Sequence, residues 1–465
     1  MMPAPRRAVL AGAAASLAPR LSRAANADVI VIGAGLAGLN AALHLQAGGA
    51  KVTVLEAAPR VGGRAFTRRD LDGAPEGGVH QVHDGYVRAH ARIKQLGVAL
   101  YRRPKPANGV AFNIGGQNIA PADWPTSPQN KLSGDERTLP PTTLRFRILS
   151  RINPLKDLEA WRRPEYAKYD VPFAAVALSL GVSEEALRLM DLHASAMGLD
   201  AISALHMFRR QRQSETLEFG DTAKYFVNGA SSLVEAMAAA LTGGVRLTHR
   251  VTAVTEAGSK LSVRCANGAT YSADFAVCAA PFPALADIAF DPWPAGALGE
   301  AIRELPLVHA TYIHLLAREP FWRDDGFLPN MFTDSPLRLV SKLHDEPGYH
   351  DTPALTVEVR GPGCRAFDSL SDSERRTAVL SELARLRPAS KGKVDVLGTD
   401  SWANNPLIKG GYHYFKPGQV TRFAPTLFDR FGRIHFAGEH LARTEVGVEA
   451  AMESGEREAR AILAR

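Results

Sequence analysis

Residues 28–40 read DVIVIGAGLAGLN, and no other stretch limits the fold so tightly. Positions 29–32 are a short apolar run, which predicts a buried parallel strand. Gly33, Gly35 and Gly38 follow as G-x-G-x-x-G and open onto a helix. The first glycine makes a tight turn, the second lets backbone approach a pyrophosphate, and the third lets helix and strand pack closely. Phosphate then rests on the helix N-terminus, where unpaired N–H groups and the dipole favour negative charge. A second apolar run, residues 52–55, ends in Glu56. That is about twenty residues on, where a carboxylate can accept hydrogen bonds from an unphosphorylated adenosine ribose. Strand, turn, helix, strand and acid together predict a dinucleotide-binding α/β unit.

The next residues narrow the dinucleotide. Val61, Gly62, Gly63 and Arg64 complete E-x(5)-G-G-R, which resembles the fingerprint of the flavin-dependent amine oxidase family (monoamine and L-amino acid oxidases) and its carotenoid desaturase relatives. The resemblance implies FAD, with Gly63 close to the cofactor and Arg64 over its ribose and pyrophosphate. It also implies a Rossmann-like FAD-binding domain of the glutathione-reductase type with an inserted α+β substrate domain. Glu76, Gly77 and Gly78 resemble the acidic-glycine stretch beside the isoalloxazine ring, followed by a helix ending near Gly97. His80 and His83 either line the active site or are ordinary loop histidines. Where relatives acting on α-amino acids carry an Arg for the carboxylate, this chain has Gln81.

Residues 102–165 are proline-rich and read as irregular, whereas 171–212 turn helical with Ser183 as an N-cap ahead of Glu184 and Glu185. YFVNGASSLVEAMAAAL resembles the family's return to the cofactor domain. Residues 245–280 read as short strands with an Asn267-Gly268 hairpin turn, and Val251 matches a position whose backbone meets adenine. SWANNPLIKGGYHYF and RIHFAGEHLARTEVGVEAAMESGEREARAIL resemble the closing motifs. They imply Gly438 and Glu439 against the ribityl chain and a final helix starting near Gly447. Its first turn, with Val448, faces the pyrimidine end of the flavin. The expected division is 1–27 leader, then 28–101, 224–290 and 399–465 for FAD, and 102–223 with 291–398 for substrate.

The resemblance implies oxidation of a primary or secondary amine to an imine, hydride passing to flavin N5, with oxygen or a redox protein as final acceptor. Tyr412 matches one of two aromatic walls that orient the amine, and Trp402 lies nearby. The opposite wall falls on Gly447 or Val448, leaving His309, His314, Tyr312 or an aromatic from 102–165 to fill it. Tyr312 also stands where many relatives keep a lysine that aids reoxidation by oxygen. Gly411 stands where some relatives attach flavin through cysteine, so FAD is expected to be non-covalent. An FAD-dependent desaturase or isomerase of an apolar substrate, and a non-catalytic FAD-stabilised exported protein, are the alternatives.

Composition removes other classes. The 465 residues carry a formal charge of +7, and four of those charges, Arg6, Arg7, Arg20 and Arg23, lie in the first 27 residues. No dense basic run with interleaved aromatics marks a nucleic-acid surface, and no apolar run is long enough to span a membrane. Cys265, Cys278 and Cys364 are too few and scattered for a disulfide framework or metal site. Arg6-Arg7, an apolar run to Ala18 and Ala25-Asn26-Ala27 resemble a twin-arginine export leader. A folded protein in the periplasm or outside the cell is expected, and a homodimer is left open.

Overall fold

The computed structural model describes residues 26–102, 109–192, 196–216, 222–342 and 353–465. The opening motif forms strand β1 (Asp28–Ile32), helix α1 (Leu36–Ala47) and strand β2 (Lys51–Leu55). Residues 29–32 are all buried, and each such Val or Ile contributes about 1.5–3 kcal/mol of apolar transfer. They centre a five-stranded, all-parallel sheet ordered Ile434–Phe436, Phe275–Cys278, β1, β2, Val245–Arg246. Three distant stretches of chain therefore meet in one Rossmann-like layer, as the fold-class expectation requires. On one side, α1 is buried over most of its length and lies beneath the final helix, Gly447–Leu463. A Cβ on Gly455 would sit 2.2 Å from the Ala37 carbonyl, and Asn40 Nδ2 donates to the Met452 carbonyl at 2.8 Å.

A four-stranded sheet packs beside this layer, ordered Thr270–Ala273, Lys260–Cys265, Val251–Ala257, Ala289–Asp291. Its hairpin turns at Asn267 and Gly268, the latter at φ +87°. Cys265, Cys278 and Cys364 are free and buried, packed as small apolar side chains.

The larger sheet has seven strands: Val394–Ser401, Ala310–Ala317, Ala354–Arg360, Leu339–Lys342, Met331–Thr333, Ala111–Ile114 and Gln117–Ile119. The first of these runs past residue 398 and ends one residue before Trp402. Tyr312 lies opposite Glu358 on one neighbour and Asp400 on the other, and Ala310 opposite Arg360. Because strand side chains alternate, Ala310, Tyr312, Glu358 and Arg360 share one face at the sheet's end. Helices cover this region, among them Pro141–Ile152 and Ala204–Thr216. The first is a correction to the irregular reading of 102–165: Pro141 takes the first helical position, where its missing N–H costs nothing. Ser183 caps the helix Glu184–Asp191 by accepting from the Ala186 N–H.

Candidate active site

A cavity of about 850 Å³ runs from the end of β2, past the α1 N-terminus, to the end of the seven-stranded sheet. At its first end Glu56 is buried and accepts from the N–H groups of Ala34 (2.7 Å) and Ala58 (2.8 Å). Burial pushes its carboxyl above the ordinary range, offset by those two donors. Arg250 and Val251 line the same end. In the middle lie Gly33 (φ +105°), Gly35, Gly62 (φ +103°) and Gly63 (φ +55°). No side chain caps α1, whose N-cap is Gly35 itself, so its first N–H groups face the cavity.

The glycines divide by what they would strike. A Cβ on Gly38 would lie 2.0 Å from the Gly33 carbonyl oxygen, and Gly38 does not line the cavity. It serves helix–strand packing rather than touching a ligand. A Cβ on Gly35 would meet nothing nearer than the Gly62 oxygen at 4.0 Å. That emptiness is a cradle a methyl group would fill, which fits a pyrophosphate. Gly77 is a second correction, since it stands behind the wall: its Cβ would crowd Asp400 Oδ2 at 2.9 Å, and its carbonyl accepts from Trp402 Nε1 at 2.6 Å. Gly78 lines the cavity, with a Cβ excluded by the Arg64 carbonyl at 2.1 Å.

At the other end Tyr312, Trp402 and Tyr412 all line the cavity. Trp402 is buried and fixed by its bond to Gly77. Two guanidinium groups, those of Arg210 and Arg360, lie near the Tyr412 ring, each 5.6 Å from its centroid. Arg360 also donates to the Tyr412 hydroxyl at 3.4 Å and pairs with Glu358. Burial pushes the Tyr312 hydroxyl strongly upward, so it stays protonated.

The flavin containing amine oxidoreductase family model matches residues 36–463, almost the whole chain. The chain belongs to this family. A putative L-amino-acid oxidase of Bacillus subtilis is 27% identical, covering 92% of each chain. A mouse L-amino-acid oxidase is 30% identical over 93% of this chain and 70% of its own. Cyclohexylamine oxidase from Brevibacterium oxydans shares the fold at TM-score 0.79 and 21% identity, covering 94% of this chain and 99% of its own. A putrescine oxidase redesigned in cofactor binding does so at 0.80 and 24%, covering 95% and 99%.

FAD is the cofactor of this amine oxidoreductase, and the residues present fit it. Glu56 and Val251 stand at the adenosine end, with the uncapped glycine turn in the middle. Arg64 is half-buried; its guanidinium donates to the Gly411 carbonyl and lies 3.8 Å from Glu439. Glu439 lines the cavity beside Gly438 and bonds His413 Nδ1 at 2.9 Å. Burial pushes the Glu439 carboxyl upward, but His413, Arg64 and Arg210 outweigh it and hold the carboxyl well below its usual range. Gly447 and Val448 open the final helix against the cavity, again with no side-chain cap. Its dipole therefore offers partial positive charge there, worth about 0.3–1 kcal/mol to an anion. Among the described residues no cysteine lines the cavity, and Gly411 is packed with its Cβ position 3.1 Å from Ala310 Cβ, so these residues offer FAD no cysteine linkage.

Of the expected sources of the missing wall, Tyr312 lines the cavity. His314 is fully buried, its ring between Asp400 (2.8 Å) and Thr356 (3.2 Å), and neither it nor His309 lines the cavity. Tyr86 does, and its hydroxyl lies 2.9 Å from where a Cβ on Gly447 would be. This further aromatic ring comes from the N-cap of the helix Val87–Leu96, and Gly447 leaves room for it. Of the two loop histidines, His80 lines the cavity, while His83 is buried outside it, its ring pushed down to about 4 by burial and by His80. Gln81 lines the cavity as an amide. Sequence reasoning also missed Arg210, Arg360 and His413. Arg360 left a signal: in ALTVEVR two charged residues alternate on one face of an otherwise apolar strand. Arg210 left none, since one arginine among several on a polar helix looks solvated.

Proposed function

We propose that this enzyme oxidises a primary or secondary amine to its imine, with the amine placed between Tyr412 and Tyr86 and above Trp402. The observation that carries this reading is that these aromatic side chains share one continuous cavity with the glycine cradle. Bound FAD supplies the two-electron acceptor that takes hydride from the amine's α-carbon. The protein supplies orientation and exclusion of water: Trp402 is held by Gly77, and Tyr412 by Arg360. The guanidinium groups beside Tyr412 favour a neutral amine over an ammonium, which leaves the nitrogen lone pair available. The same charges speak against an apolar polyene as substrate.

The acceptor is part of the proposal. Tyr312, a half-buried neutral phenol, occupies the place where a lysine would aid oxygen. The one lysine lining the cavity among the described residues, Lys409, is engaged by Asp287 at 2.6 Å. Slow reaction with oxygen and a separate redox partner follow. The test is anaerobic mixing of the yellow holoenzyme with amines and amino acids, then admission of air. Bleaching by one class with slow recovery supports the whole reading; rapid recovery removes the separate acceptor, and no bleaching removes amine oxidation.

A further inference from the structure

Gly411, Tyr412 and His413 form a short strap pinned to residues 307–308. The Gly411 N–H donates to the Val308 carbonyl at 2.7 Å, and the Val308 N–H to the Tyr412 carbonyl at 2.8 Å. Gly411 and Tyr412 line the cavity, whereas His413, one position on, is buried outside it. The His413 ring holds Glu439: Nδ1 donates to Oε1 at 2.9 Å, and the His413 backbone N–H reaches Oε2 at 3.4 Å. Arg64 closes the circuit, donating to the Gly411 carbonyl and lying 3.8 Å from Glu439. Arg210, the other cation near the carboxylate, stands at 3.7 Å. Both guanidinium groups are beyond hydrogen-bond reach, so among the described residues His413 makes the hydrogen bonds that fix Glu439. The ring is otherwise poorly satisfied. His413 Nε2 is buried with no partner among the described residues, and the ring packs on His206 and Phe415, at centroid separations of 5.4 and 5.7 Å. A hydrocarbon side chain would fill that place without an unpaired nitrogen. What an imidazole adds there is its bond to Glu439, which faces the cavity beside Gly438.

We infer that His413 is a positioning residue for the cofactor: it holds the Glu439 carboxylate ionised and aimed into the cavity, where ribityl hydroxyls of FAD can donate to it. Two guanidinium groups alone would do this badly. Each is a planar fork that pairs a carboxylate through both oxygens, and such a pair with Arg64 or Arg210 would occupy lone pairs the cofactor needs. A ring N–H takes one lone pair and leaves others open. Among the described residues the titratable groups facing the pair are Arg64 from the segment after β2, His206, Arg209 and Arg210 from the helix Ala204–Thr216, and His440 beside Glu439. Burial works against the ionised carboxylate; His413, Arg64 and Arg210 work for it. Removing the His413 bond therefore raises the carboxyl toward its ordinary range and makes FAD binding sensitive to acid. Because His413 directly follows Tyr412, the same bond ties the cofactor-facing carboxylate to the strap that carries the aromatic wall.

The test is equilibrium dialysis of purified holoenzyme at pH 8.0 and 6.0, with released FAD read by its fluorescence. His413→Leu should raise the FAD Kd about 10-fold at pH 8.0, the lower end for loss of a hydrogen bond to a charged group. The loss should grow at pH 6.0, where wild type changes less. His413→Asn, whose amide nitrogen falls where Nδ1 lies, should recover most of the affinity and the wild-type pH dependence. Circular dichroism of the loaded variants should match wild type, and His413→Met gives the same readings should His413→Leu not fold. Glu439→Gln should itself weaken FAD, and adding His413→Leu to it should change Kd by less than about 2-fold, because a residue acting through Glu439 has little left to act on. Wild-type affinity in His413→Leu at both pH values overturns the inference. So does an equal, pH-independent loss in His413→Leu and His413→Asn, which marks a merely structural ring, or full additivity with Glu439→Gln. An acid-sensitive loss that asparagine restores supports it.

Discussion

Gly35 and Gly38 lie three residues apart in one motif, and different forces hold them. The backbone around Gly38 excludes a Cβ; around Gly35 only a ligand would. Gly35→Ala is therefore expected to leave apo-protein stability within about 0.5 kcal/mol of wild type while weakening FAD binding at least about 10-fold. Thermal melts of the apo form and flavin titration check the two halves separately, and a large loss of apo stability would mean the turn itself needs glycine. Tyr312 gives a second residue-scale prediction. It faces the cavity from the strand Ala310–Ala317, so Tyr312→Lys introduces a cation beside the substrate face. Reoxidation of the reduced enzyme by air should accelerate about 10-fold, a gain of roughly 1.4 kcal/mol at the barrier. Stopped-flow measurement of reoxidation decides it, and an unchanged rate would place the oxygen-limiting feature elsewhere.

Among elements, α1 and the final helix are the pair on which the cofactor site depends. Both begin with uncapped N-termini at the cavity, and both are fixed by the contact of Gly455 with the Ala37 backbone. A side chain at 455 would force the two helices apart and move both N-termini. Gly455→Val is expected to cost about 3 kcal/mol, the upper end of overpacking effects, and to lower FAD affinity with it. Chemical denaturation with flavin retention measures this; full stability would show that the helices separate without strain. The end of the seven-stranded sheet works in a similar way for the substrate side. Alternation puts Tyr312 and Arg360 on one face, so the strands Ala310–Ala317 and Ala354–Arg360 position the phenol and the guanidinium together.

Across the whole molecule, the buried imidazoles set an acid limit. Burial, with nearby positive groups, pushes His83 down to about 4 and His440 down to about 3, and it also lowers His206 and His413. Below about pH 6.5 the unfolded chain takes up protons that the folded chain refuses, so stability falls with pH. His83, His206 and His440 together cost about 3 kcal/mol between pH 6.5 and 5.5, and His413 adds in the same direction. The low Glu439 carboxyl adds a stabilising term that is present above the ordinary carboxylate range and lost as pH falls through it. Urea melts at pH 7.5, 6.5 and 5.5 check the slope, and a flat profile would refute it. Export is the remaining molecular proposal; the Arg6-Arg7 leader lies outside the described residues. Replacing both arginines by lysine should hold FAD-loaded protein in the cytoplasm on fractionation, and unaltered export would remove the twin-arginine route. Local backbone needs write themselves into local sequence, which is why the glycine turn, Glu56, the G-G-R segment and the final helix were legible from residues alone. They determined the Rossmann-like layer and its FAD. Trp402, Tyr412 and Tyr312 were legible through resemblance, because they sit at fixed offsets from such motifs. Tyr86 against Gly447, Arg210 beside Arg360, and His413 behind Glu439 were decided only by tertiary structure. Each pair unites elements far apart in the chain, and their meeting depends on how sheets and helices pack, a quantity no local spacing encodes.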